Sequence, residues 1–121
     1  MSDDFLILNY EKVIKKIKSF ISDQVRTRKK NGVIVGLSGG IDSSVSVKLA
    51  SRALENNRII GLIMPEKKAT PKTDIENART LAKKLRVKYK VIQIERGTKI
   101  LLNRLPKDKL AGGNFFPNEQ I

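Results

Sequence analysis

The chain has 121 residues, 25 basic against 12 acidic side chains for a net charge of +13, and neither cysteine nor histidine. That length suits one domain with a modest core, and the missing residue types exclude disulfides, thiolate metal sites and a histidine base. No apolar run reaches the roughly 18 residues of a membrane span, and no basic-then-apolar leader opens the chain, so neither a membrane segment nor a signal peptide is expected and a cytoplasmic location follows by elimination.

Tyr10, Val13, Ile14, Ile17, Phe20, Ile21 and Val25 recur at helical spacing, which predicts an amphipathic helix over residues 9–28 with Asn9 as its cap. Apolar residues 5–8 also allow a start nearer Asp3. This helix is expected to pack on a sheet or a second subunit and is assigned no chemistry. Asn31-Gly32 ends it, and the β-branched run Val33-Ile34-Val35 opens a buried strand over 33–37. A second helix follows over 43–56. Its apolar residues Val45, Val47, Leu49, Ala50, Ala53 and Leu54 cover more than half the circumference, as expected of a helix covered by neighbours as well as by the sheet.

Residues 59–64 form an uninterrupted apolar run, the pattern of a parallel strand buried on both faces. Thr70-Pro71 predicts a cap and a first-turn proline for a third helix, whose core face is Ile75, Ala78, Leu81, Ala82 and Leu85. A third strand is expected over 90–94, beginning as early as Val87, and Ile100, Leu101, Leu102 and Leu105 suggest a short helix ended by Pro106. Strands alternating with helices, joined by right-handed crossovers, predict an α/β fold with a parallel sheet in the order 3-2-1, one half of a doubly wound domain. The strand over 33–37 then lies at an edge. Its unpaired N–H and C=O groups predict association with a second copy or another polypeptide, or marginal stability.

The stretch Gly36-Leu37-Ser38-Gly39-Gly40-Ile41-Asp42-Ser43-Ser44 joins the first strand to the second helix. Gly39 and Gly40 let backbone N–H groups approach an anion, the three serines add hydroxyls, and the helix start contributes unpaired N–H groups and the positive end of its dipole. Such a loop suits phosphate. Asp42 would repel a phosphate unless a cation lay between them, which makes it a candidate Mg²⁺ ligand. The plain alternative is a glycine turn with Asp42 or Ser43 as an ordinary N-cap. Neither a Walker lysine nor a three-glycine dinucleotide fingerprint is present. Ligands of open parallel sheets sit beyond the carboxyl ends of the strands, so the loop over 64–70 is expected to flank the same crevice.

Ser38-Gly39-Gly40-Ile41-Asp42-Ser43-Ser44 resembles the pyrophosphate loop of the ATP pyrophosphatases, a superfamily that includes NAD, GMP and asparagine synthetases and tRNA-thiolating enzymes. Gly61-Leu62-Ile63-Met64-Pro65-Glu66, then Ala69-Thr70-Pro71 and residues 74–82, are similar to the second strand and following helix of NAD synthetases, the short archaeal-type ones in particular. The resemblance covers residues 10–114. It implies a Rossmann-like adenine nucleotide alpha hydrolase fold and an ammonia-dependent ligase with ATP and Mg²⁺: the carboxylate of deamido-NAD attacks the α-phosphate of ATP, and ammonia then displaces AMP. On this basis Gly36, Leu37, Ser38, Gly39, Gly40, Ile41, Asp42, Ser43 and Ser44 hold the pyrophosphate, with Ser38 and Asp42 serving catalysis and Asp42 holding the metal. The main chain at Ile63 and Met64 recognises adenine, while core filling remains the other role for Met64.

Ala111-Gly112-Gly113-Asn114 resembles the point where family members begin a long helix carrying substrate-binding arginines and dimer contacts, but Phe115 to Ile121 depart from that pattern. The resemblance therefore implies a partial domain over 1–121, with 106–121 as a disordered tail, completed by a homo-oligomer or another polypeptide. No glutaminase module is present, so ammonia would come free or from a partner. Two other functions remain open: an RNA-modifying enzyme of the same superfamily, and a non-catalytic ATP-binding or interaction module. Basic clusters at 26–30, 83–90 and 96–109 favour nucleic acid, but Tyr89 is the one aromatic among them, and a solvated lysine-rich surface is the favoured interpretation.

Overall fold

The computed structural model describes residues 8–106. Helix α1 (Tyr10–Thr27) leads into strand β1 (Val33–Gly36), helix α2 (Ile41–Ala53), a single 3₁₀ turn at Asn56–Arg58, strand β2 (Ile59–Ile63), helix α3 (Lys72–Lys84), strand β3 (Lys88–Val91) and helix α4 (Glu95–Arg104). The three strands are parallel in the order β1-β2-β3, with Val33 opposite Ile59 and Ile60 opposite Lys88. Read from the other edge, this is the expected 3-2-1 order.

Both crossovers step across the sheet in the same direction, so right-handed connections put α2 and α3 on one face. Val33, Val35, Ile59, Ile63 and Tyr89 line that face and pack with Val47, Ala50, Ala78 and Ala82 into the core. The opposite face differs from expectation. Strand β2 is buried on one side only, because Ile60 is 42% and Ile34 68% exposed, with no helix among the described residues lying over them. Strand β1 pairs on one side, with β2. The 121-residue chain by itself is thus expected to self-associate as its concentration rises, and Ile34→Lys, which places a charge on the bare face, to reduce this in sedimentation velocity. A wild-type chain that stays a monodisperse, cooperatively melting monomer would contradict that expectation.

Helix α1 begins where its cap was expected: the Asn9 side chain accepts a hydrogen bond from the Lys12 N–H at 3.3 Å. An earlier start would fall on residues 1–7, outside the described region. The helix packs chiefly against α2 rather than the sheet, and the Ser22 hydroxyl donates to the Ala53 carbonyl at 3.0 Å. Of its apolar stripe only Val25 is fully buried. Its end comes earlier than Asn31-Gly32, through Lys29 in the left-handed region, with Lys30 N–H returning to the Val25 carbonyl.

Helix α2 is covered by α1 and the sheet together, as its broad apolar surface required. It starts at Ile41 rather than Ser43 and stops at Ala53, because the residues before β2 tighten into the 3₁₀ turn. Helix α3 is not capped by Thr70. Pro71 holds the cap position, and the Thr70 hydroxyl instead accepts from the Glu66 N–H at 2.9 Å. Strand β3 begins at Lys88, within the range expected for its start, and ends at Val91, three residues earlier than expected, although Ile92 N–H still bonds the Ile63 carbonyl at 2.8 Å. Helix α4 begins at Glu95 and is longer than the short helix expected near Ile100. Except for Pro106, the tail expected over 106–121 lies outside the described residues. No helix among the described residues is long and apolar enough to cross a membrane.

Candidate functional site

Strand β1 delivers the chain to Leu37, which is buried and whose N–H donates to the Leu62 carbonyl at 2.7 Å. Beyond it the backbone must turn into α2 within three residues. Gly39 makes this turn at φ +82°, and a Cβ there would stand 2.4 Å from the Asp74 carbonyl oxygen, so both the conformation and the space require glycine. Gly40 takes the N-cap position of α2 with no side-chain cap. Asp42 and Ser43 therefore sit inside the first turn, and neither is the N-cap.

The serine hydroxyls are largely engaged in holding the loop. Ser43 Oγ accepts from the Ser38 N–H at 3.1 Å and lies 3.1 Å from Ser38 Oγ, which in turn accepts from the Gly40 N–H at 3.2 Å. Ser44 Oγ donates to the Gly40 carbonyl at 2.6 Å. The N–H groups of Gly39, Ile41, Asp42 and Ser43 have no acceptor among the described residues. They form a row of donors at the positive end of α2, which is the arrangement that binds an anion. Asp42 is exposed in that same turn and belongs to neither ion pair among the described residues, Arg26–Asp23 and Arg79–Glu76.

A cleft of about 260 Å³ opens beyond the carboxyl ends of β1 and β2, walled by Leu37, Ser38 and Met64 on one side and by Thr70, Asp74 and Ile75 on the other. This is where the crevice was expected. Met64 is 47% exposed and lines the cleft, so it does not fill the core. Ile63 is different: its side chain is buried and its carbonyl is taken by Ile92. Met64 keeps a main-chain N–H and C=O without a backbone partner among the described residues. Asp74 went unrecognised as a site residue from the sequence. Its carbonyl fixes how closely α3 approaches Gly39, a long-range contact with no local signature beyond Thr70-Pro71 starting the helix nearby.

No cluster of three or more His, Cys, Asp or Glu able to hold a metal occurs among the described residues. One free carboxylate beside a row of phosphate-type donors does fit Mg²⁺, which takes one or two protein carboxylates and completes its shell with phosphate oxygens and water. The basic cluster at 26–30 ends α1 and leads into the amino end of β1, away from the cleft, while the cluster at 83–90 ends α3 and runs on through Lys88 and Lys90 of β3. Lys67, Lys68 and Lys72 instead belong to the segment that walls it.

A parallel sheet whose first strand feeds a glycine turn and a helix N-terminus, with a cleft beyond the strand ends, defines a Rossmann-like α/β domain of the pyrophosphate-loop kind. Residues 13–120 match the family model described as NAD synthase. The NH(3)-dependent NAD(+) synthetase of Methanocaldococcus jannaschii is 48% identical over 84 residues, covering 69% of this chain and 32% of that protein. The corresponding synthetase of Archaeoglobus fulgidus is 38% identical over 111 residues, covering 91% of this chain and 45% of the relative. Among solved structures, the NH3-dependent NAD synthetase of Campylobacter jejuni superposes with a TM-score of 0.73 at 32% identity, over 81% of this chain and 42% of that one. The chain belongs to the NAD synthase family. It spans less than half the length of each of these relatives.

Proposed function

We propose that this chain supplies the ATP-binding and pyrophosphate-holding part of an ammonia-dependent NAD synthetase, in which the nicotinate carboxylate of deamido-NAD is adenylated by ATP and the adenylate is then aminated. Residues 1–121 would form one nucleotide-binding domain of that enzyme. The observation that carries this proposal is the row of unpaired N–H groups at Gly39, Ile41, Asp42 and Ser43, set beside the exposed carboxylate of Asp42.

The chemistry asked of these residues is electrostatic. As the carboxylate attacks the α-phosphate, the bond to the β-phosphate breaks and negative charge gathers on the departing pyrophosphate. Backbone donors fixed in advance by the Ser38–Ser43 contacts and by Gly39 meet that charge without reorganising. Asp42 would hold Mg²⁺, which when bound neutralises phosphate charge. Lys67, Lys68 and Lys72 raise the local concentration of the polyanion. The main chain at Met64, where the cleft meets the end of β2, would meet the adenine end, and the Ile63 main chain would support it from the sheet. No histidine is needed, because the attacking carboxylate is already ionised.

The test is pyrophosphate release from Mg-ATP by the purified chain, with deamido-NAD and ammonium present, beside Asp42→Ala. Substrate-dependent release that falls at least roughly tenfold in the variant supports the proposal. Mg-ATP binding without release would assign the chemistry to polypeptide beyond these residues. Failure to bind Mg-ATP at all would remove the proposal.

A further inference from the structure

The segment from Pro65 to Thr70 contributes Pro65, Ala69 and Thr70 to the lining of the cleft, and its internal bonds make it a closed turn. Ala69 and Thr70 N–H groups both donate to the Glu66 carbonyl, at 3.1 and 2.9 Å, while the Glu66 N–H donates to the Thr70 hydroxyl at 2.9 Å. A turn closed on itself still has to be fixed relative to the sheet. Two bonds to the segment after β3 do this: Ile94 N–H donates to the Pro65 carbonyl at 3.2 Å, and the Glu95 carboxylate accepts from the Lys67 N–H. Glu95 is the first residue of α4, where a carboxylate is favoured by the helix dipole.

We infer that Glu95 is a positioning residue for the nucleotide: by gripping the Lys67 main chain it holds the wall formed by Met64, Pro65 and Thr70 at the distance the base and ribose require. The inference rests on the ATP-binding proposal above. Helix α4 buries no residue of its own, so this hydrogen bond is not a by-product of core packing, and its loss has little apolar burial to take with it. The phosphate-type donors, in contrast, are held by Ser38, Ser43 and Gly39 and make no bond to the Pro65–Thr70 turn. Glu95 therefore governs affinity for the nucleoside end of ATP and not for its pyrophosphate.

The experiment compares the wild-type chain with Glu95→Ala and Glu95→Gln, reading amide exchange at Lys67 by NMR and titrating each protein with Mg-ATP and, separately, with Mg-pyrophosphate. Glu95→Ala is expected to speed exchange at Lys67 and to weaken Mg-ATP roughly fivefold, from the loss of one charge-assisted hydrogen bond at an exposed site. Its affinity for Mg-pyrophosphate and its melting temperature stay at wild-type values. Glu95→Gln, whose amide oxygen still accepts from Lys67, keeps slow exchange and most of the ATP affinity. Unchanged Lys67 exchange in Glu95→Ala, equal losses for ATP and pyrophosphate, or a glutamine variant that behaves like alanine would each overturn the inference while leaving the ATP proposal intact. A wild-type chain that binds neither ligand would overturn both.

Discussion

Gly39→Ala is expected to weaken Mg-ATP binding by roughly 100-fold or more while leaving a folded domain. A β-carbon at φ +82° costs roughly 1–2 kcal/mol in conformational energy alone. The larger effect is steric. The new carbon would stand 2.4 Å from the Asp74 carbonyl oxygen and 2.9 Å from two further main-chain atoms of Asp74, so either the loop or the first turn of α3 must move. Because the strained φ also falls on Gly39, the loop is the part that yields, and its movement misaligns the N–H row at Gly39, Ile41, Asp42 and Ser43. Losing two charge-assisted donors, at about 1.5 kcal/mol or more each, corresponds to a loss in affinity of roughly 100-fold or more. Titration calorimetry with Mg-ATP, on protein shown to be folded by circular dichroism, checks this. Wild-type affinity in the folded variant would mean that the loop is not the anion site.

Gly32→Ala is expected to act on stability and not on the site. Gly32 has no positive φ, so conformational freedom is not what it supplies. Its α-carbon passes against the 3₁₀ turn before β2, where an added Cβ would lie 1.9 Å from the Arg58 carbonyl oxygen and 2.7 Å from its carbonyl carbon. Both are backbone atoms and cannot swing away. The Arg58 guanidinium also donates from Nε to the Asn31 carbonyl at 2.7 Å, so the methyl group would pry apart a junction that is tied from both sides. A penalty of about 3 kcal/mol, or a fall of roughly 10 °C in Tm, is expected in thermal unfolding. Because this junction lies at the amino ends of β1 and β2, the variant should bind Mg-ATP normally at temperatures where it remains folded. The two glycines thus separate a site effect from a stability effect.

Much of the architecture was legible because its signals are local. Val33-Ile34-Val35 and residues 59–64 announce strands by β-branched apolar runs, Asn9 announces a helix start by its side-chain acceptor, and the serine-glycine-aspartate stretch announces a tight strand-to-helix turn. Element ends were less legible. Thr70 has the chemistry of a cap, but it finds its partner in the Glu66 N–H because the turn over 66–70 closes on itself. The third strand ends at Val91 rather than Ile94, since a strand lasts only as long as its neighbour: β2 ends at Ile63, opposite Val91. Buriedness was misjudged for β2 because an uninterrupted apolar run reports what a strand tolerates on its two faces. It does not report which faces are covered.

The amino-acid sequence by itself determined the element order, the parallel sheet, the family and the place of the phosphate-type loop, since each of these follows from periodicity, turn chemistry or a contiguous motif. Tertiary structure alone decided which groups in that loop are free. Hydroxyls that looked like anion donors at Ser38, Ser43 and Ser44 are largely engaged in holding the turn, and the backbone N–H groups of Gly39, Ile41, Asp42 and Ser43 are left without an acceptor among the described residues. It also decided that Asp74 presses on Gly39 and that Glu95 grips Lys67 from 28 residues away. Contacts between distant segments leave no periodic trace in the chain, because they depend on where two elements meet once the sheet has assembled them.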